Sequence, residues 1–215
     1  MLLYLARHAQ TASSAVDSFN GQRELPLTEQ GRAQARALGE RLRDVHFAAV
    51  YCSPLGRTGE TARLIAPSSL PVILPGLIEI DYGAWEGLSS PEAQSRDPDR
   101  YAAWVDDPAV TGPPGGETAA QIATRALAAL EFIQSSHSAS GATGPVLAVS
   151  HKATLRVLGA ALAGVSVSSY RTRLAQDECA LNLIELRKGK HPFIRLWNDT
   201  GHLGPDPGVN TRGGK

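Results

Sequence analysis

The chain has 215 residues, 42% of them apolar and 20% charged, with 21 basic and 21 acidic side chains. This length fits one domain around one core, and the balanced charge excludes a strong general attraction to nucleic acid or to an anionic membrane. Cys52 and Cys179 are too few for a disulfide framework, and the apolar stretch before Arg7 is far shorter than the ~20 residues of a membrane span. We therefore expect a soluble, cytoplasmic protein.

The first half of the chain alternates strand-like and helix-like segments. Apolar, β-prone runs predict strands, and a spacing of three to four residues between apolar positions predicts helices. Thr28 is placed to cap a helix whose Leu38, Leu42 and Val45 share one face. The other predicted elements here are strands at 2–6, 47–52 and, more weakly, 72–74, and a helix at 58–66.

The second half continues this alternation after an interruption. Residues 85–118 are rich in proline and aromatic residues, which predicts a helical or irregular cap inserted over the sheet edge. Helices are then expected at 119–133, capped by Thr118, and at 154–162, with strands at 146–149, 180–186 and 193–196, the last two as a hairpin. The prediction is an α/β fold: a three-layer α/β/α sandwich with a mainly parallel, mixed sheet of about six strands. One domain would span residues 1–203, followed by a flexible tail at 204–215.

Polar side chains follow three of the predicted strands directly. Arg7 and His8 follow the first strand, Arg57 opens the helix after the second, and His151 follows the strand at 146–149. The carboxyl ends of parallel strands share one edge of a sheet, where open α/β proteins bind their ligands. A helix N-terminus and arginine side chains both favour anions. The sequence therefore predicts an anion site at this edge.

Six blocks resemble, in order, the motifs of the histidine phosphatase superfamily, branch 1, whose members are phosphoglycerate-mutase-like. The blocks are LARHAQT (5–11), GQRELPLTEQGRAQA (21–35), SPLGRT (53–58), LIEIDYGAWEG (77–87), PGGET (114–118) and SH (150–151). The resemblance implies that His8 is a nucleophile that forms a phosphohistidine, and that Arg7, Arg57 and His151 hold the phosphoryl oxygens. It implies that Glu79 is the proton donor.

Further residues are candidates for substrate binding. Ser14 stands where many members have an asparagine that touches phosphate, and Asn20 is a second candidate for that role. Gly21, Gln22 and Arg23 lie in the same loop, and Arg23 is equally well read as a solvated arginine. Two more candidates lie outside this loop. Lys152 is either at the pocket rim or solvated at a helix start, and His202 belongs to a late segment that resembles the tail of metal-independent phosphoserine phosphatases, where the chain folds back toward the substrate.

The resemblance implies a phosphomonoesterase without metal or other cofactor, acting on a small phosphorylated metabolite such as phosphoserine, a sugar phosphate or a similar acid. One alternative is a cofactor-dependent phosphoglycerate mutase, which uses the same residues but protects the phosphoenzyme from water. Another is a phospho-ligand-binding protein without activity. The only partner expected is the small-molecule phosphomonoester, with no nucleic acid or membrane, and the resemblance leaves a homodimer open.

Overall fold

A computed structural model describes residues 1–12, 18–187 and 189–204. The centre of the fold is a six-stranded sheet with the strand order β3-β2-β4-β1-β5-β6. The strands are β1 (Leu2–Arg7), β2 (Ala49–Cys52), β3 (Val72–Ile73), β4 (Val146–Ser150), β5 (Leu181–Glu185) and β6 (Phe193–Asp199). Strands β1 to β4 run parallel, whereas β5 and β6 are antiparallel to their neighbours. The predicted mixed, mainly parallel sheet is confirmed.

Helices cover both faces of this sheet. They are α1 (Glu29–Arg41), α2 (Gly56–Ile65), α3 (Ser90–Arg96), α4 (Pro98–Asp106), α5 (Ala119–Ala139), α6 (Lys152–Leu162) and α7 (Tyr170–Arg173). Leu38 of α1 and Ile65 of α2 pack in one buried cluster with Val149 of the sheet. On the other face, α5 and α6 pack against β1 and β4 in a second cluster. The fold is the predicted three-layer sandwich, and burial of these apolar faces is what stabilises it.

Several boundaries differ from the prediction. Helix α1 ends at Arg41, and Leu42 forms its C-cap, so that Val45 lies outside the helix although it still packs on the core. Helices α2 and α6 begin two residues earlier than predicted, at Gly56 and Lys152. Thr28 and Thr118 cap α1 and α5 as predicted, because each side chain accepts a hydrogen bond from a first-turn amide.

The cap contains the short helices α3 and α4. Trp85 is fully buried, and its Nε1 donates to Asp97 Oδ2 at 2.9 Å. Trp85 and Trp104 form an aromatic cluster with Phe19, whose ring centroid lies 5.7 Å and 5.5 Å from theirs. Phe19 belongs to the loop after β1, so this cluster fastens the cap to that loop. No helix in the described parts of the chain is both long and apolar enough to cross a bilayer.

Candidate active site

The parallel pairing of β1 and β4 brings the two predicted histidines together. Arg7 is in register with Ser150, so the next residue of each strand, His8 and His151, emerges at the same level of the carboxyl edge. The His8 amide donates to the Ser150 carbonyl at 2.9 Å. The two imidazole centroids are 5.1 Å apart, and both side chains are buried.

His8 is held in one tautomer. Its Nδ1 lies 2.8 Å from the Ala9 carbonyl oxygen, and because a carbonyl only accepts, Nδ1 carries the hydrogen and Nε2 keeps its lone pair. Burial is the main cause that lowers the pKa of His8 well below its ordinary value, and the Arg7 and Arg57 guanidiniums lower it further. The imidazole is therefore neutral at pH 7, as nucleophilic attack from Nε2 requires.

Arg57 connects three parts of the site. Its Nε donates to Nδ1 of His151 at 3.3 Å, and its terminal nitrogens donate to the backbone carbonyls of Gly21 at 2.8 Å and Arg23 at 2.7 Å. The side chain is buried. A guanidinium has five N–H groups, so two remain for an anion placed between the histidines.

Arg7, the last residue of β1, is the second guanidinium near His8. Its Nη1 donates to the Gln176 carbonyl at 2.8 Å, and its Nη2 is 3.9 Å from the Glu178 carboxylate. Within the described residues its Nε is buried and has no hydrogen-bond partner. A buried donor without a partner requires an explanation in a native structure, and an anionic ligand beside His8 would supply one.

His151 has a partner for each ring nitrogen. Nδ1 accepts from Arg57, so the hydrogen is on Nε2, which lies 2.6 Å from the Ser53 hydroxyl oxygen. Ser53 Oγ also accepts from the Leu55 amide at 3.1 Å. Burial above all lowers the pKa of His151 well below its ordinary value, and His8 and Arg57 lower it further. His151 is thus a neutral imidazole whose Nδ1 accepts a hydrogen bond.

Glu79 is anchored at the N-terminus of α6. Its Oε1 accepts hydrogen bonds from the amides of Ile80 at 2.9 Å and Thr154 at 3.1 Å, and from the Thr154 hydroxyl at 3.2 Å. Among the residues that the structure describes, its Oε2 accepts only from the Ala153 amide, at 3.2 Å. The side chain of His151, the N-cap residue, does not accept a hydrogen bond from the first turn of this helix. The Glu79 carboxylate caps the helix instead, by accepting from its first amides. Oε2, with the fewest contacts, is the oxygen best placed to exchange a proton.

The loop at 20–23 is tied to both Arg57 and Glu79. The backbone N–H of Gln22 donates to Glu86 Oε1 at 2.8 Å. The side-chain Nε2 of Gln22 donates to the backbone carbonyl of Glu79 at 3.0 Å. Gly21 has a φ of +42°, and a Cβ built on it would overlap the Glu86 carboxylate. The positive φ therefore favours glycine here, and any side chain would also have to displace the Glu86 carboxylate. This loop holds the two carbonyls to which Arg57 donates.

The cap side of the site is aromatic. The Tyr82 ring lies 4.7 Å from Phe19, and the Arg171 guanidinium lies 3.8 Å above the Trp104 ring. Burial raises the pKa of Tyr82 well above its ordinary value and that of Tyr170 to about 12, with the charge of Glu79 contributing to both. The two phenols are neutral at pH 7 and lie near enough to Glu79 to feel its charge.

The other predicted site residues have different surroundings. Asn20 accepts from the Ser18 hydroxyl at 3.2 Å, and Arg23 is exposed. Lys152 is exposed and begins α6. His202 is half-buried beside Arg41 and Asp199, and among the described residues no ring contact joins it to His8 or His151. Ser14 lies outside the described residues.

Sequence reasoning missed some residues that contact this machinery. Ser53 follows β2 directly, and the strand-end signal used for Arg7 and His8 would have found it. Thr154 and Gln176 carried no such signal, because one sits among apolar helix positions and the other in a loop. In the described part of the chain, no group of three or more His, Cys, Asp and Glu side chains has the arrangement of a metal site.

Comparisons with known proteins agree with this geometry. The family described as "Histidine phosphatase superfamily (branch 1)" matches residues 3–200. Phosphoserine phosphatase 1 of Hydrogenobacter thermophilus is 32% identical over 204 residues, which are 94% of this chain and 94% of that protein. The adenosylcobalamin/alpha-ribazole phosphatase of Escherichia coli is 34% identical over 170 residues, covering 77% and 80% of the two chains.

A solved structure gives the same result. Mycobacterial glucosyl-3-phosphoglycerate phosphatase in complex with VO3 superposes with a TM-score of 0.81 and 25% identity, covering 92% of this chain and 98% of that one. The chain also spans 54% of the length of longer mycobacterial relatives that are 36% identical to it.

Proposed function

Because this chain belongs to branch 1 of the histidine phosphatase superfamily and is a phosphomonoester hydrolase of that type, we propose that it hydrolyses a small phosphorylated metabolite through a phosphohistidine on His8. The observation that carries the proposal is the tautomer of His8. The Nδ1–H···O=C bond to Ala9 leaves Nε2 as a neutral nucleophile among two guanidiniums and a second histidine. Such a cluster favours both the nucleophile and the anion that it attacks.

In the first step, the Nε2 lone pair of His8 forms a bond to phosphorus while the bond between phosphorus and the ester oxygen breaks. Arg7, Arg57 and His151 stabilise the charge that spreads over the equatorial oxygens. Glu79 gives the proton on Oε2 to the ester oxygen, which leaves as an alcohol.

In the second step, water attacks the phosphohistidine and its proton passes to Oε2 of Glu79. The bond between Nε2 and phosphorus breaks, and inorganic phosphate leaves with His8 restored. Splitting the hydrolysis in this way uses one nucleophile and one carboxyl group in both steps.

The substrate is proposed to be a small acidic phosphomonoester of the kind named in the relatives: phosphoserine, or a phosphorylated sugar or acid. The partly exposed Tyr82, whose phenol is neutral, and the exposed cation Arg23 are the side chains proposed to contact the leaving group. Specificity resides in such side chains and not in the fold.

The test is p-nitrophenyl phosphate hydrolysis in the presence of a chelator. We expect turnover that a chelator does not reduce and that His8→Ala abolishes, with a phosphoenzyme trapped by quenching in alkaline denaturant only in the unmutated protein. Activity that persists in His8→Ala would refute the nucleophile.

A panel of physiological phosphomonoesters, compared by kcat/KM, identifies the substrate class. Interconversion of phosphoglycerates would favour the mutase alternative, and phosphate binding without turnover would favour the phospho-ligand-binding protein.

Four expectations stay predictions: the cytoplasmic location, the homodimer, the domain limits and the flexible tail. Residues 205–215 of the tail lie outside the described residues, as does Lys188.

A further inference from the structure

The hydrogen bonds of His151 conflict with the part that it must play once a phosphoryl group is bound. Nδ1 accepts from Arg57 Nε, and Nε2–H is directed at Ser53. In this state the ring has no N–H left for a phosphoryl oxygen. An oxyanion needs donors, so His151 cannot hold a phosphoryl oxygen in this resting arrangement.

We propose that a bound phosphoryl group converts His151 into an imidazolium whose Nδ1–H donates to a phosphoryl oxygen, and that Ser53 is the positioning residue that accepts Nε2–H in both states. The inference rests on the proposed phosphatase function. The proton arrives with the ligand: a monoanion passes its P–OH proton to the Nδ1 lone pair and becomes a dianion. Arg57 Nε–H, released from Nδ1, turns to the same anion.

The charges around His151 explain why the proton is absent until then. Three guanidiniums act on it: Arg7 at the end of β1, Arg57 of α2 and Arg125 of α5. All three disfavour an imidazolium, as burial does. A phosphoryl dianion at the centre of this group reverses the balance, because an opposite charge within a few ångströms favours the charged ring.

Ser53 fits the second part of the proposal. Its oxygen is buried 2.6 Å from Nε2 and is held by the Leu55 amide at 3.1 Å. The backbone carbonyl of Ser53 accepts from the Thr58 hydroxyl at 2.9 Å, which fixes the residue at the start of α2. A hydroxyl so placed can accept from the ring without moving when Nδ1 gains its proton.

The experiment is a titration of the full chain, labelled with ¹⁵N-histidine, with inorganic phosphate at pH 7. His151→Gln assigns the His151 signals by their loss. Without phosphate, we expect the neutral form protonated at Nε2, and with phosphate, both nitrogens protonated. A ring that stays neutral when phosphate is bound, in either tautomer, would overturn the proposal. If the protein neither binds phosphate nor turns over p-nitrophenyl phosphate, the proposed function fails instead.

Ser53→Ala tests the positioning part. Loss of a hydrogen bond to a charged group should weaken phosphate binding about tenfold at pH 7. The rise of the dissociation constant with pH should also begin at lower pH. Ser150→Ala is the matched control, because this buried hydroxyl donates to the Leu77 carbonyl at 2.7 Å and not to a histidine. Identical pH profiles for the two variants would refute a role for Ser53, and if Ser53→Ala does not fold, the histidine titration still decides the first part.

Discussion

Glu79→Gln separates an acid from a structural anchor, because the carboxylate makes contacts of both kinds. The best rotamer of the glutamine keeps its oxygen at the Oε1 position, where Ile80 and Thr154 donate. Its NH₂ group then faces the Ala153 amide, which donates to Oε2 at 3.2 Å in the unmutated protein. One buried donor loses its acceptor at a cost of about 1–3 kcal/mol, or a fall in Tm of about 2–12 °C. The protein should remain folded.

The loss of the acid is the larger effect on catalysis. Removal of a general acid slows the step that it serves by about 10²–10⁴. This applies to an alkyl phosphomonoester, whose alkoxide needs a proton to leave, whereas p-nitrophenolate leaves without one. Because kcat/KM reports the transfer to His8, we expect a loss of about 10²–10⁴ for the alkyl ester and about tenfold or less for p-nitrophenyl phosphate.

The assay is the ratio of the two kcat/KM values in Glu79→Gln and in the unmutated protein. Glu92→Gln is the control, since Glu92 is an exposed capping residue of α3 that accepts from the Ser89 amide at 2.7 Å. Equal losses for both substrates would refute the acid role. They would show instead that Glu79 acts by holding the N-terminus of α6.

Three other outcomes are expected. Arg57→Lys replaces three guanidinium hydrogen bonds by those of one ammonium and should lower kcat/KM by about 10²–10⁴. Arg43→Lys, in an exposed ion pair with Glu40, is the control and should leave kcat/KM within about twofold. A small loss in Arg57→Lys would show that these hydrogen bonds do not position the phosphoryl group. Gly21→Ala, at φ +42° and against Glu86, should lower both Tm and kcat/KM, and an unchanged kcat/KM would show that the Gly21 carbonyl does not position Arg57. Finally, urea unfolding measured between pH 6.5 and pH 5 should show that the free energy of unfolding decreases as the pH is lowered. Burial lowers the pKa values of His8 and His151 well below the ordinary histidine value of about 6.5, so below that pH the unfolded chain binds more protons than the folded protein. The slope is up to about 1.4 kcal/mol per pH unit for each ring, and a slope unchanged in His8→Gln would contradict it.

The sequence predicted where the site lies in the fold better than it predicted the hydrogen bonds within the site. The strand ends at Arg7 and Ser150 sufficed to bring His8 and His151 together, because parallel register carries one strand end to the level of the next. The anchoring of Glu79 was not predictable. It depends on amides of Ala153 and Thr154, and backbone donors have no signature in the residue type.

Element ends were also less predictable than element types. The apolar spacing of Leu38, Leu42 and Val45 suggested one continuous helix, but α1 ends at Arg41. Core packing needs Val45 to be apolar whether it lies in the helix or after it, so periodicity cannot separate the two cases. In the cap, proline and scattered aromatics left helical and irregular chain as alternatives. The cap is helical in part, and Pro98 occupies the first turn of α4, a position that tolerates it.

The strand order has a consequence for how the protein reaches its native state. β1 lies between β4 and β5. Leu3 of β1 pairs with Val146 on one side and with Ile184 on the other, and both partners are far from Leu3 along the chain. Pairings of such long sequence separation form slowly, and during synthesis the first strand must wait until its neighbours have left the ribosome. His8 is made long before His151, yet the two meet only when the sheet closes. Acquisition of phosphate binding is therefore expected to coincide with the last cooperative step of folding.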